Sequence, residues 1–355
     1  MILLRQRRET ARFHNPLLGG ELDEQELEIR TDPLTGCQAV FNPGLEGKVG
    51  ILFPDTDPQY LRERVEATEA SCFLCQGRWQ QTTPTYPVEL LPEGRLVRGE
   101  AVLFPNLFPL SALHAVVMVG ERHWRSLDDF PAPLLEDALG VSLDFLRRLH
   151  EVEPDQAYCT INANYLFPAG ASVVHPHLQI LGSTEPGTHH RLLLDRCLAW
   201  LDERGSTFWA DLIDTERAGA RWIGEHGSGA WLAAFAPLGP HEVQAVWPES
   251  RNLLDWDESD VRGLAEGLSA VLAAYHDIGL STFNFSLYSG PLGGEAPGFR
   301  CLLRVVNRQN VHEHHRTDDY YFQKLLQNEI VLRQPEQLAA LVRERFPGVS
   351  GEGGS

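Results

Sequence analysis

The sequence predicts an α+β protein in which mostly antiparallel strands pack against a few long helices. Apolar residues recur at helical spacing over 132–150 and again over 258–276. Short alternating segments typical of strands surround both helices, and one such segment follows each helix, at 158–164 and at 282–288. The same order of elements therefore occurs twice along the chain.

Individual residues recur with the elements. His114 precedes a run of valines and stands as far before Asp128 as His241 stands before Asp255. His241 is also followed by an apolar strand pattern. This recurrence predicts two duplicated half-units, each with a mostly antiparallel sheet and a packed helix, that form an internal pseudo-dimer.

The duplication predicts where the domains divide. We expect an N-terminal half at 1–195, a C-terminal half at 196–350 and a disordered tail at 351–355. The C-terminal strand at 299–306 corresponds to the His-Pro-His segment of the first half but contains no histidine. The first half is therefore expected to carry the chemistry, and the second to serve as a scaffold.

Composition narrows the class of protein. The 355 residues carry a formal net charge of −19, which argues against a nucleic-acid partner. No apolar run is long enough to span a membrane, and the first residues lack the apolar core of a signal peptide, so we expect a cytoplasmic protein. The 6 cysteines are too scattered for a disulfide scaffold.

The segment Gly-Ala-Ser-Val-Val-His-Pro-His-Leu-Gln at 170–179 concentrates chemically active side chains. In an extended strand His175, His177 and Gln179 would share one face, and Pro176 predicts an edge strand or an interrupted one. A neutral imidazole is both a nucleophile and a metal ligand near neutral pH. A pair of ordinary surface histidines remains the alternative.

Cysteines at 72 and 75 form the closest cysteine pair in the chain. Such a pair can bind zinc, act as a redox couple or simply be buried. Together, Cys72, Cys75, His123 and His175 supply the two sulfur and two nitrogen ligands of a tetrahedral zinc site. In that set His175 would bind the metal and His177 would not. The sequence therefore predicts bound Zn²⁺ and, separately, His177 as a nucleophile.

These motifs resemble the histidine-triad superfamily, and within it the galactose-1-phosphate uridylyltransferase-like branch. The resemblance runs from about residue 30 to 182 and continues more weakly to about 345. It rests on an Asp-Pro-Leu-Thr-Gly segment at 32–36, the cysteine pair, Asn106 with Phe108, Asn164, Gly170, Ser172 and the His-Pro-His-x-Gln segment at 175–179. It implies a histidine-triad-like fold for both half-units.

The resemblance also implies an activity. His177 would accept a nucleoside monophosphate from a nucleotide sugar and pass it to a sugar 1-phosphate, as in galactose metabolism. Catalytic roles would fall to His177, Gln179 and Ser172. Substrate contacts would come from Asn106, Asn164, Gly170 and Lys48, and from Gln323 and Lys324 reaching the neighbouring subunit of a homodimer.

Departures from the family pattern leave the acceptor open. Leu45 stands where the family has an arginine, and Lys48 is the cation that remains nearby. A phosphorylase using inorganic phosphate on ADP-glucose or a dinucleoside polyphosphate is the first alternative. A zinc-stabilised nucleotide-binding protein without turnover is the second. We interpret His114 as structural and the pair at 189–190 as surface histidines.

Overall fold

The structure is a computed structural model that describes residues 2–48, 50, 53–315 and 317–348. The side chain of Lys48 and the predicted tail at 351–355 lie outside the described residues. Two sheets with packed helices confirm the predicted α+β class. Among the described helices, none combines the length and the apolar character needed to cross a membrane.

The smaller sheet contains both N-terminal and C-terminal strands. Its four strands are, in spatial order, β1 Arg5–Asn15, β2 Glu21–Thr31, β3 Gln38–Phe41 and β14 Asn328–Val331. β1 and β2 form a long antiparallel hairpin, whereas β14 runs parallel to β3. The hairpin turns at Gly19 and Gly20, whose φ angles of 68° and 87° lie in the left-handed region that glycine adopts without strain.

Within the described residues the larger sheet contains ten strands, and each strand pairs antiparallel with its neighbours. In spatial order these are β4 Leu96–Arg98, β5 Ala101–Pro105, β6 Leu113–Met118, β8 His177–Ser183, β7 Tyr158–Tyr165, β12 Phe283–Tyr288, β13 Cys301–Val306, β11 Val243–Trp247, β10 Gly229–Ala233 and β9 Trp222–His226.

Helices accompany both sheets. Their bounds are α1 Pro58–Glu69, α2 Trp79–Thr82, α3 Ala132–Val152, α4 Thr188–Arg204, α5 Phe208–Glu216, α6 Glu258–Asp277, α7 Tyr321–Lys324 and α8 Pro335–Arg343. α6 begins where the Asp257 side chain accepts hydrogen bonds from the backbone N–H groups of Ser259 and Asp260. The long helices α3 and α6 pack against each other and bury one apolar face each in the main core.

The order of the large sheet has an internal symmetry. Read inward from one edge the strands are β4, β5, β6, β8 and β7, and from the other edge they are β9, β10, β11, β13 and β12, which is the same pattern. The halves meet where β7 pairs with β12. This order favours the predicted duplication. The division at residue 195 stays a prediction, and that residue lies within α4.

The central histidine segment differs from the expected strand. β8 begins at His177, so His175 lies in the bend before the strand rather than on its face. Pro176 interrupts the strand as expected, because it lacks the N–H that a ladder requires. β8 is nonetheless an interior strand between β6 and β7.

Candidate functional site

The four predicted metal ligands converge at the start of β8. One ligand atom each from Cys72, Cys75, His123 and His175 lies within 4.8 Å of the other three, and all four residues are buried. Cys75 Sγ is 3.3 Å from Nδ1 of both histidines. Ligand atoms around a tetrahedral zinc ion are about 3.5–3.8 Å apart. The cluster therefore has the donor set and nearly the dimensions of a zinc site.

Hydrogen bonds outside the cluster orient both imidazoles for metal binding. His175 Nε2 lies 2.9 Å from the Gly120 carbonyl oxygen, which can only accept, so Nε2 carries the proton. His123 Nε2 lies 3.0 Å from Thr68 Oγ1, whose own hydroxyl donates to the Arg64 carbonyl. Each ring thus presents the Nδ1 lone pair to the thiols, as metal-binding histidines commonly do.

The thiols also fit a cation. Burial, followed by the neighbouring Cys72 thiol, raises the pKa of Cys75 to about 12. Two thiolates at this depth require a positive charge between them, which zinc supplies. Because the four side chains complete a tetrahedral set, such a metal would hold structure rather than bind substrate.

His177 follows the bend, and one of its ring nitrogens makes a hydrogen bond. Its Nδ1 is 2.9 Å from the His175 carbonyl oxygen, so Nδ1 donates and Nε2 keeps its lone pair. The side chain is 9% exposed, and burial lowers the pKa of His177. His177 is therefore a neutral imidazole with an available Nε2, as a nucleophile requires.

A cavity of about 300 Å³ opens beside His177. Four of the predicted site residues line it: Asn106, Ser172, His177 and Gln179. Apolar side chains form another part of the wall, including Phe73, Leu74 and Phe108. Polar groups next to the imidazole and an apolar wall beyond them suit a ligand with a phosphate at one end and a flat apolar group at the other.

His114, interpreted from the sequence as structural, makes hydrogen bonds that orient a residue of this site. The Leu110 backbone N–H donates to His114 Nδ1 at 3.1 Å, so the proton is on Nε2, which lies 2.9 Å from Gln179 Oε1. Asn106 Nδ2 lies 3.1 Å from the same nitrogen, and this contact between two donors adds no hydrogen bond. His114 thus holds the carbonyl end of the Gln179 amide, and the amide donor is left for the cavity.

Asn164 and Gly170 lie beside the cavity rather than in its lining. Asn164 is on β7, and Asn284 of β12 donates to its side-chain oxygen at 2.7 Å. Gly170 has a φ of 90°, and a Cβ added there would lie 3.9 Å from Asn164 Nδ2. The asparagine amide therefore faces the bend that leads from β7 to the His-Pro-His segment.

Gln323 and Lys324 are not among the residues that line this cavity. Gln323 lines a second cavity of about 650 Å³ together with His189 and Glu329. Lys324 Nζ lies 3.6 Å from an Asp319 carboxylate oxygen. Contacts from these two residues to a neighbouring subunit stay a prediction.

The interpretation of residues 189–190 as surface histidines is wrong for His190. His190 is 4% exposed, and its Nε2 donates to the Ser289 carbonyl at 2.7 Å. Burial lowers the pKa of His190 to about 4, so the ring is neutral. The reason is that α4 begins at residue 188 and packs its first turn against the end of β12, which the sequence pattern did not indicate.

The second half replaces the polar pair of the first. Arg304 on β13 lies opposite Gln244, two positions after Glu242, as Gln179 on β8 lies opposite Val116, two positions after His114. Arg304 Nη1 donates to Glu242 Oε1 at 2.7 Å, and both side chains are buried. The second half therefore has a buried ion pair at this spacing, and the first half has a neutral hydrogen-bonded pair.

The fold is similar to that of solved structures of an ADP-glucose phosphorylase and of uridylyltransferases. An ADP-glucose phosphorylase from Arabidopsis thaliana, solved with bound ADP-glucose, is similar with a TM-score of 0.68 and 19% identity over 90% of this chain and 99% of its own. A mutant uridylyltransferase is similar with a TM-score of 0.65 and 19% identity over 92% and 99%. At such identities the similarity concerns the fold.

Comparison of amino-acid sequences identifies a relative of this chain. It belongs to the same family as a protein of Archaeoglobus fulgidus, described as uncharacterized, to which it is 32% identical over 330 residues. The match covers 92% of this chain and 95% of the relative. No protein-family model matches the chain.

Proposed function

We propose that the protein transfers a nucleoside monophosphate between a nucleotide sugar and a second phosphate acceptor through a covalent nucleotidyl-His177. The observation that carries this proposal is the His177 ring, whose Nδ1–H is held by the His175 carbonyl. Its Nε2 is left for attack beside a cavity that also contains Ser172 and Gln179. The solved structures of similar fold include a phosphorylase and a uridylyltransferase, which supports the same reaction class.

The reaction proceeds in two displacements. In the first, Nε2 of His177 forms a bond to the α-phosphorus while the bond from that phosphorus to the bridging oxygen breaks. The sugar 1-phosphate leaves with the electron pair. In the second, an oxygen of the acceptor phosphate attacks the same phosphorus, and the nitrogen–phosphorus bond breaks. The His175 carbonyl retains the Nδ1 proton and stabilises the positive charge of the intermediate.

Donors from the cavity wall would stabilise the charge that develops on the α-phosphate. His114 holds the Gln179 oxygen, so the Gln179 amide N–H₂ is available to a phosphate oxygen. Ser172 lies in the same wall and offers a hydroxyl. Zinc bound by Cys72, Cys75, His123 and His175 would supply structural rigidity, and it would fix the backbone carbonyl that orients the nucleophile.

The acceptor distinguishes two forms of the proposal. A sugar 1-phosphate acceptor gives a uridylyltransferase type of enzyme of galactose metabolism, and inorganic phosphate gives a phosphorylase. Leu45 stands in place of the arginine that the family resemblance leads one to expect, which favours the smaller acceptor. A homodimer and a cytoplasmic location are part of the proposal in both forms.

Covalent labelling tests the function. We expect UDP-glucose or ADP-glucose carrying ³²P at the α-position to label the protein, and the label to be absent from His177→Gly. His14→Gly, which alters an exposed histidine outside the site, is the matched control and should label like the wild type. Discharge of the label by inorganic phosphate or by a hexose 1-phosphate then identifies the acceptor. A wild-type protein that binds nucleotides but takes no label would support the non-catalytic alternative.

A further inference from the structure

Asn284, a side chain of the second half, enters the site of the first half at the seam between β7 and β12. It stands directly opposite Asn164 in the antiparallel register. Its Nδ2 donates to Asn164 Oδ1 at 2.7 Å and to the Ala169 carbonyl at 2.9 Å. Both acceptors belong to the first half, so Asn284 is a donor to the segment that leads to the His-Pro-His motif.

An arginine determines which way the Asn284 amide points. Arg308 Nη1 donates to Asn284 Oδ1 at 3.1 Å. Asp318 holds the guanidinium through Nε at 2.8 Å and Nη2 at 2.5 Å. Arginine has donors only, so the oxygen of Asn284 must face it and the nitrogen must face Asn164. The Asp318 carboxylate also raises the pKa of Arg308, which is therefore charged at every relevant pH.

The hydrogen bond from Asn284 fixes the direction of the Asn164 amide in the same way. Asn164 accepts at Oδ1, so its Nδ2 points the other way, toward Gly170. Among the described hydrogen bonds, none uses Asn164 Nδ2. The register that pairs Ala163 with Leu178 places Asn164 opposite His177, and opposite residues of paired strands share a face of the sheet. The Asn164 donor is thus on the side of the sheet that carries the His177 imidazole.

We propose that Asn284 and Arg308 are positioning residues that turn the Asn164 amide donor toward a phosphate of the bound nucleotide. The proposal rests on the proposed function for the identity of the ligand. In this series Arg308 donates to Asn284, Asn284 donates to Asn164, and the remaining donor of Asn164 serves the substrate. The half without the histidine motif would therefore contribute to catalysis by fixing the direction of an amide.

Asn284→Asp reverses the direction of the hydrogen bond between residue 284 and Asn164, and it keeps the size of the side chain. A carboxylate accepts only, so Asn164 must turn its N–H₂ toward residue 284 and its oxygen toward the phosphate. Arg308 neutralises the introduced charge. We expect Asn284→Asp to lower kcat/KM for labelling by ADP-glucose about 10- to 100-fold, the usual effect of losing a hydrogen bond to a charged group. The variant also loses the hydrogen bond to the Ala169 carbonyl, so we expect a lower unfolding midpoint, and labelling is compared at a temperature where both proteins are folded.

Two further variants make the test specific. Ser286→Ala removes another hydrogen bond across the same seam, to Asn162, and should leave labelling unchanged. In an Asn164→Ala background the Asn284→Asp loss should vanish, because the amide that it misdirects is absent. Equal losses in both backgrounds, or no loss from Asn284→Asp, would overturn the proposal.

The same variants separate this inference from the proposed function. ADP and UDP affinities of all variants are measured in parallel by calorimetry, which requires no turnover. If the wild type binds but takes no label, the enzymatic function fails, and a binding loss from Asn284→Asp that depends on Asn164 still supports the positioning role. If the wild type takes the label and the two substitutions act independently in both assays, the function stands and the positioning role fails.

Discussion

The buried carboxyl group of Glu329 predicts how much the folding stability changes with pH. This residue of β14 is 7% exposed. Its Oε1 accepts hydrogen bonds from Gln323 Nε2 at 3.0 Å and from the Ile330 N–H at 2.9 Å. Burial, which outweighs those two hydrogen bonds, raises the pKa of Glu329 from 4.5 to about 7, with a smaller contribution from the negative charge of Asp318.

The sign of the effect follows from proton linkage. Between pH 4.5 and 7 the folded protein keeps a proton on Glu329 that the unfolded chain has lost, so folding stability falls as pH rises through this window. One pKa unit corresponds to about 1.4 kcal/mol. Ionisation of the buried carboxyl therefore costs about 3 kcal/mol of stability above pH 7, and this loss is absent at pH 4.5.

Glu329→Gln removes the ionisation and keeps the side-chain oxygen as an acceptor. We expect the variant to match the wild type near pH 4.5 and to be more stable by up to about 3 kcal/mol at pH 8, as measured by urea unfolding across this range. Glu21→Gln, at an exposed position, is the control and should show no such pH-dependent difference. A gap between wild type and Glu329→Gln that is the same at both pH values would refute the reasoning.

Three further expectations concern the site and the core. His114→Leu should lower the rate of covalent labelling about tenfold, whereas His114→Gln should retain most of it because an amide nitrogen replaces the ring donor; single-turnover labelling with each variant decides this. Cys75→Ser should reduce bound zinc well below one ion per chain and lower the thermal midpoint, as elemental analysis and calorimetry would show. Gly267→Ala would place a Cβ 2.3 Å from the buried Trp231 ring and should cost about 1–3 kcal/mol of stability. Gly140→Ala meets only the far end of a flexible arginine and should change stability by less than about 1 kcal/mol in the same unfolding assay.

The two halves of the large sheet contain different polar pairs. The first half has a neutral His114–Gln179 pair next to the cavity, and the second has the buried ion pair of Arg304 with Glu242 at the same spacing. The two pairs differ in charge. The first leaves the Gln179 amide donor for the cavity, and the second holds the Arg304 charge against the Glu242 carboxylate.

The candidate metal ligands and the proposed nucleophile could be identified from the sequence, because residue type and spacing indicate their chemistry. Two cysteines, two histidines and a third histidine two positions on suffice to predict a tetrahedral site with one imidazole left over. The structure brings the four ligands together. It also gives the two histidines different neighbours, since His175 lies in the bend next to a thiol and His177 begins β8 and lines the cavity.

Hydrogen-bond direction was not visible in the sequence. The position of the proton on His114 depends on the backbone N–H of Leu110. The direction of the Asn164 amide depends on Asn284 and Arg308 from the other half of the chain. A residue name does not state which nitrogen carries a proton or which end of an amide faces a neighbour. His190 shows the same limit, since its burial follows from the packing of α4.

By itself the amino-acid order determined the α+β class, the twice-repeated set of elements and the donor atoms available for a metal, because periodicity and side-chain chemistry are local properties. The three-dimensional arrangement alone decided which lone pair each imidazole presents and which way each amide points. Those choices are made by partners that lie up to 120 residues away in the chain, as for Asn164 and Asn284, and that meet only when the strands pair.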